Sequence, residues 1–236
     1  MGRILWVNPV GTDAFDAETV AVVERVRSPG HELVVRSLEA GMPTHLEYHL
    51  HEHAVFAPML ELMREAQADG FDAAVIGCFY DGGLRELREA LDLPVVGMAE
   101  ASMLFACSLG HRFSILVGRR KWIPKMRDNA ITVGIERRIA SFRSLEMSIP
   151  EMFEDPAGLD RRAIEQSLQA VEDGAELVLF SELVPATLRE RAAAELPVPL
   201  LDPGVACWKW AEMAADIYRR TGLGHGRAFG YEAPPA

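Results

Sequence analysis

The sequence is poor in cysteine. Its three, Cys78, Cys107 and Cys207, are odd in number and widely spaced. That pattern argues against a disulfide framework and predicts a chain of the reducing cytoplasm. Nowhere are there roughly 18 consecutive apolar residues, so no membrane span is expected. The apolar stretch Ile4 to Val7 meets Asn8-Pro9 too soon to be a signal peptide. Basic charge is also scarce: 24 Lys and Arg stand against 35 Asp and Glu, a formal net charge of -11. This disfavours nucleic acid as a partner, because non-specific binding needs a basic footprint. Small anionic substrates stay open, since local fields differ from net charge. What remains is ordinary for a soluble globular protein, with 49% hydrophobic and 25% charged residues over 236 positions. Such a chain buries a sizeable core as one large domain or two small lobes.

Apolar runs and turn signals alternate along the chain. Strands are expected at Ile4 to Val7, His31 to Arg36, Ala73 to Gly77 and Pro94 to Met98. Helices are expected at Ala17 to Val26, from Thr44 through Ala68 and over Leu84 to Ala90. Thr44 and Glu47 read as a capping box, and Pro58 as a kink or restart. A second series follows, with strands at Arg112 to Val117, Ala140 to Met147, Leu177 to Phe180 and Val198 to Leu201. Its helices lie over Trp122 to Ala130, Arg161 to Asp173, Ala186 to Ala194 and Val205 to Arg220. The tail from Gly222, rich in Gly, Pro and Ala, is expected to be loosely held. Strands alternating with helices predict an α/β fold with mostly parallel sheets.

The halves echo each other. Asp69-Gly70 precedes the strand that ends at Cys78, and Asp173-Gly174 precedes the one that ends at Ser181. From Cys78 to Pro94 is 16 residues, and from Ser181 to Pro197 is 16 again. Arg3 to Val7 likewise has a counterpart in Phe113 to Val117. Either βα units are alike by chance, or one unit is duplicated about a pseudo-twofold. The second alternative predicts two Rossmann-like lobes, residues 1–99 with 213–236 and residues 100–212. Ligands in open α/β sheets sit beyond the carboxyl ends of the strands. Facing lobes would therefore set Cys78 and Ser181 on opposite walls of one cleft.

Cys78 lies in Ile76-Gly77-Cys78-Phe79-Tyr80-Asp81-Gly82-Gly83, after a buried strand and before a glycine turn and a helix. A helix N-terminus lowers a thiol pKa and receives anions. Glycines such as Gly82 let backbone N–H groups approach a carboxylate or oxyanion. A buried structural cysteine is the alternative. The segment Gly77 to Leu84, followed by Pro94-Val95-Val96-Gly97 and Glu100-Ala101-Ser102, resembles the hydantoin and allantoin racemase branch of the aspartate/glutamate/hydantoin racemase superfamily. Asn8-Pro9 after the first strand is similar to the opening of that branch, and the likeness runs from Ile4 to about Glu212. The resemblance implies carbon-acid chemistry without metal or organic cofactor, in which two cysteines flank an acidic α-carbon. One removes the proton and the other reprotonates the opposite face. A thiol suits this role, with an unperturbed pKa of about 8.5 that falls readily in a polar pocket. The resemblance also implies that Asn8, Thr12 and the backbone around Phe79 and Tyr80 hold the substrate, and that the protein is a homo-oligomer.

The second cysteine of the family pattern is missing. Leu179-Phe180-Ser181-Glu182-Leu183 stands where the family has Leu-Gly-Cys-Ala-Gly, which reads as Ser181 in place of the cysteine. A hydroxyl is a poor stand-alone base. Ser181 would relay a proton through a neighbour, or Glu182 would supply a carboxylate, or Cys78 would act alone on an enolate left by decarboxylation or isomerisation. Structurally, Ser181 reads as a helix cap and Glu182 as a solvated residue opening the next helix.

Other candidates are weaker. Gly118-Arg119-Arg120 follows the strand that parallels the Asn8 strand. Arg119 suits a substrate carboxylate but equally a solvated arginine pair. Thr132 and Val133 are placed near the cleft. His45, His49 and His53 have zinc-like i, i+4 spacing, yet lack a Cys or carboxylate partner, and a pocket-lining or surface stripe is the other reading. Cys107, Cys207, Trp208 and Trp210 read as packing residues.

Three functions compete. The first is a racemase, epimerase or isomerase of a small amide or carboxylate. The second is a cofactor-free decarboxylase or other lyase, and the third a binding protein that kept the cleft without turnover. A Cys78 hydrolase lacks a clear histidine partner.

Overall fold

The computed structural model describes residues 2–235. Its first series is β1 (Gly2–Asn8), α1 (Asp16–Glu24), β2 (His31–Ser37), α2 (His49–Ala68), β3 (Ala73–Ile76), α3 (Leu84–Ala90) and β4 (Val95–Gly97). After α4 (Met98–Leu109) come β5 (Phe113–Val117), α5 (Ile123–Val133), β6 (Ile139–Ser144), α6 (Ile149–Glu154), α7 (Pro156–Glu172), β7 (Val178–Phe180), α8 (Ala186–Glu195), β8 (Leu200–Leu201) and α9 (Pro203–Thr221). One compact unit is Met1–Met98 with Cys207–Ala236, and the other is Ala99–Ala206.

Each unit has one four-stranded parallel sheet. The orders are β2-β1-β3-β4 and β6-β5-β7-β8, the same permutation twice. The internal echo is thus a repeat of topology. The inner strands β1, β3, β5 and β7 are buried almost throughout. This is why they read as continuous apolar runs, as parallel strands covered on both faces do. In the second unit Leu116, Val178 and Phe180 pack with Leu159, Ala163, Ile164 and Leu188 of the covering helices.

Three local expectations are corrected. Helix α2 starts at His49, with Tyr48 as an N-cap that makes no side-chain bond. Glu47 is instead buried, 3.4 Å from His45 Nδ1. A true capping box occurs at Ser148 and Glu151, opening α6. Helix α2 runs on through Pro58 and does not restart there, the missing N–H removing one backbone bond. The tail is not loose: Arg227 donates to the carbonyls of Arg88, Glu89 and Leu91, and His225 Nε2 accepts the Val95 N–H at 2.9 Å. Val95 lies on β4, the outer strand of its sheet, so the tail satisfies an edge donor.

Candidate functional site

Both strand-end loops singled out by the sequence lie at the carboxyl ends of inner strands. In the first unit β3 ends at Ile76, and Gly77 and Cys78 follow. Gly77 is required by a close approach. A Cβ there would lie 2.2 Å from Trp6 Nε1 and 2.7 Å from Asn8 Oδ1. Those two atoms are themselves bonded at 2.9 Å, directly against Gly77. Asn8 also donates to Asp16 Oδ1 at 2.7 Å and to Thr19 Oγ1 at 3.3 Å, and Ser37 donates to the same Asp16 oxygen. With Asn8 only 3% exposed, its amide holds strand β1 to α1 and walls the cysteine loop from behind. The substrate contact expected of Asn8 therefore meets a side chain already committed to internal bonds. Thr12 is partly exposed and accepts the Ala14 N–H at 3.2 Å, forming a small turn.

Cys78 is partly exposed and is not linked in a disulfide. The Asp81 N–H closes a turn onto the Cys78 carbonyl at 3.2 Å. Phe79 and Tyr80 bury their side chains, so what they offer a ligand is backbone. Asp81 has φ 52, a left-handed conformation rare outside glycine. Such strain persists only where the surroundings enforce it. Its carboxylate lies against Gly97, where a Cβ would come within 2.6 Å of it. Helix α3 begins only at Leu84, so five residues separate its short first turn from Cys78. The thiol is not seated on a helix N-terminus, as the glycine turn had suggested.

Sequence reading missed what lies beneath that turn. Glu52 Oε2 sits 3.0 Å from where a Gly82 Cβ would be, and the Phe56 ring 2.6 Å from a Gly83 Cβ. Glu52 and Phe56 are i, i+4 on α2, so one helix face supports both glycines. Some 30 residues of sequence separate them from the Gly-Gly pair, so no local pattern signals the contact.

The histidines do not form the expected stripe. His45 precedes α2, and His53 is exposed. His51 Nδ1 lies 2.9 Å from the His45 carbonyl, with the two rings edge to face at 5.5 Å. His49 Nδ1 lies 3.2 Å from Glu52 Oε1. Among the described residues no group of three His, Cys, Asp or Glu could hold a metal ion.

In the second unit β7 ends at Phe180, followed by Ser181 and Glu182. Ser181 is 2% exposed and its N–H donates to the Leu116 carbonyl at 2.9 Å. Helix α8 starts at Ala186 after Pro185, so neither Ser181 nor Glu182 caps it. Glu182 is partly exposed. Gly118 follows β5. Its carbonyl accepts from Met147 N–H, and a Cβ at Gly118 would lie 2.9 Å from the Met147 carbonyl oxygen. Arg119 lies in the field of Glu146 and Glu151, and Arg120 donates to Glu146 at 2.8 Å. Thr132 is exposed and Val133 partly so, at the end of α5. Burial pushes the Cys207 thiol well up, helped by Asp81, and burial raises Cys107 as well. Both suit packing, and Trp208 is fully buried beside Cys207. Among the described residues no helix is long and apolar enough to cross a membrane.

The profile of the Asp/Glu/Hydantoin racemase family matches residues 4–210. A hydantoin racemase of Pseudomonas sp. (strain NS671) is 29% identical over 220 residues, spanning 93% of this chain and 88% of the relative. The structure of an allantoin racemase from Klebsiella pneumoniae superposes with a TM-score of 0.88 at 28% identity, covering 100% of this chain and 95% of that one. Arylmalonate decarboxylase shares the fold at 17% identity, with a TM-score of 0.58 and coverage of 97% and 96%. With the profile running through both repeated units, the chain belongs to the Asp/Glu/hydantoin racemase family.

Proposed function

We propose that this protein is a cofactor-independent racemase, epimerase or isomerase that works on the acidic α-carbon of a small hydantoin-like amide or carboxylate, with Cys78 as acid/base. The observation that carries this reading is the partly exposed Cys78 at the carboxyl end of an inner strand, in a chain whose relatives include hydantoin racemases. A thiolate there takes the α-proton: the C–H bond breaks, S–H forms, and the electron pair moves into the adjoining carbonyl as an enolate. The backbone of the Phe79 to Gly83 turn receives that oxyanion or a substrate carboxylate. Buried Trp6 and Asn8 fix Gly77, and so the starting point of the loop. Positioning of this kind is worth several powers of ten in rate.

Replacing Cys78 by Ala tests the reading. Solvent deuterium incorporation into hydantoins, amino acids and substituted malonates, followed by proton NMR, is expected to fall by at least about 100-fold. Undiminished exchange in Cys78→Ala sinks the proposal. Ser181 and Glu182 in place of a family thiol favour a second reading, a lyase in which Cys78 protonates an enolate left by decarboxylation. Loss of carbon dioxide from the malonates decides for it. Ligand binding that survives Cys78→Ala, with no turnover in the parent protein, would mark a binding protein.

A further inference from the structure

Which residue after β7 corresponds to Cys78 is decided by the hydrogen-bond ladder. In the first unit Asp72 N–H donates to Arg3 O at 2.8 Å and Gly77 N–H to Val7 O at 2.7 Å. In the second, Glu176 N–H donates to Arg112 O at 3.0 Å and Ser181 N–H to Leu116 O at 2.9 Å. On the other side of each inner strand, Ala74 N–H donates to Pro94 O and Val178 N–H to Pro199 O, at 2.9 and 3.0 Å. The entry turns agree. Phe71 N–H meets Ala66 O and Ala175 N–H meets Ala170 O, after Gly70 and Gly174 with φ 73 and 92. Strand pairing repeats the match, with Leu5 opposite Ala74 and Ser114 opposite Val178.

Every one of these pairs sets Ser181 level with Gly77. The next residue outward is Cys78 in one unit and Glu182 in the other. A one-residue offset matters because successive side chains along a strand point to opposite faces. Cys78 and Glu182 are alike in being partly exposed. The equal spacing to Pro94 and Pro197 misled, since Pro199 and not Pro197 occupies the position of Pro94. A serine is tolerated at the Gly77 level in the second unit because Ile115 and Val117 stand there in place of the bonded Trp6 and Asn8 pair.

We propose that Glu182, and not Ser181, is the second acid/base of this protein, a carboxylate counterpart of the Cys78 thiol. This rests on the reading of Cys78 given above. In one direction the Cys78 thiolate takes the α-proton. The enolate carbon then takes the proton of a Glu182 carboxylic acid: O–H breaks, a new C–H bond forms, and a carboxylate remains. In the other direction the Glu182 carboxylate takes the proton and the Cys78 thiol gives one back. The two starting forms of the enzyme differ only in which group holds the single proton, so both belong to one protonation state.

Glu182→Gln keeps size and polarity but cannot carry the proton. With allantoin and 5-substituted hydantoins as probes, followed by polarimetry and by deuterium exchange in proton NMR, E182Q is expected to lose at least about 100-fold in racemisation. Glu182→Cys, which rebuilds a thiol pair, is expected to racemise faster than E182Q by at least about 10-fold. Ser181→Ala is expected to lose less than E182Q. Thermal unfolding of each variant checks that it is folded. E182Q within about threefold of the parent, or S181A below E182Q, overturns the assignment even if C78A is inactive. Full activity in C78A, or no exchange by the parent on any probe, overturns the reading beneath it instead.

Discussion

At the residue scale, stability in the first unit gathers on Glu212. It is 5% exposed, yet its carboxylate accepts from Ser28 N–H, Ser28 Oγ, Trp208 Nε1 and Lys209 Nζ. Burial alone pushes this carboxyl up, but the bonds from Lys209, Ser28 and Trp208 outweigh it and hold it below the usual carboxylate range. A carboxyl with a depressed folded pKa stabilises fully above its unfolded value, about 4.3. That stabilisation is lost as pH falls through the lower folded value. Glu212→Ala takes the acceptor from all four donors, so it is expected to cost about 3 kcal/mol near pH 7 in urea unfolding. The difference from the parent should shrink towards pH 3. A constant difference over that range would separate Glu212 from the acid sensitivity. Gly77 makes a related point at the same scale. Its hydrogen side is filled by an indole and an amide, so the sequence spells glycine next to Cys78 for reasons of space.

At the element scale the C-terminal tail is an edge cover. Strand β4 ends the first sheet, and the tail satisfies its Val95 N–H while Arg227 ties down the carbonyls at the end of α3. The Arg88 guanidinium stacks near the Tyr231 ring, 6.0 Å from its centroid. Truncation after Thr221 removes all of these bonds at once. It is expected to lower Tm by several degrees, at about 1–2 kcal/mol, and to increase aggregation on heating through the uncovered strand edge. Light scattering during a thermal ramp checks both. An unchanged Tm and an unchanged onset would mean that the tail contributes nothing to the sheet.

At the scale of the whole molecule the two units are unequal in one respect. The second is a single continuous segment, Ala99–Ala206, whereas the first is completed by the C-terminal stretch from Cys207. The continuous unit has its own parallel sheet and an apolar core built from β5, β7, α7 and α8. Residues 99–206 expressed alone are therefore expected to unfold in one cooperative urea transition with an α/β circular dichroism spectrum. A featureless, non-cooperative melt would show that this core needs the rest of the chain.

By itself the sequence determined the fold class and nearly every inner strand, because buried parallel strands must be written as apolar runs ended by glycine or polar turns. It also singled out Cys78 as the candidate acid/base, since a thiol between a strand and a Gly-Gly turn is a local pattern. Four things it left to tertiary structure: that Asn8 is spent on Trp6 and Asp16, that Glu52 and Phe56 underlie the glycine turn, that the tail is clamped, and that Glu182 stands level with Cys78. Each depends on which backbone groups pair across strands far apart in sequence. A pairing register is set by packing over the whole sheet, and the spacing between two prolines along one chain carries no trace of it.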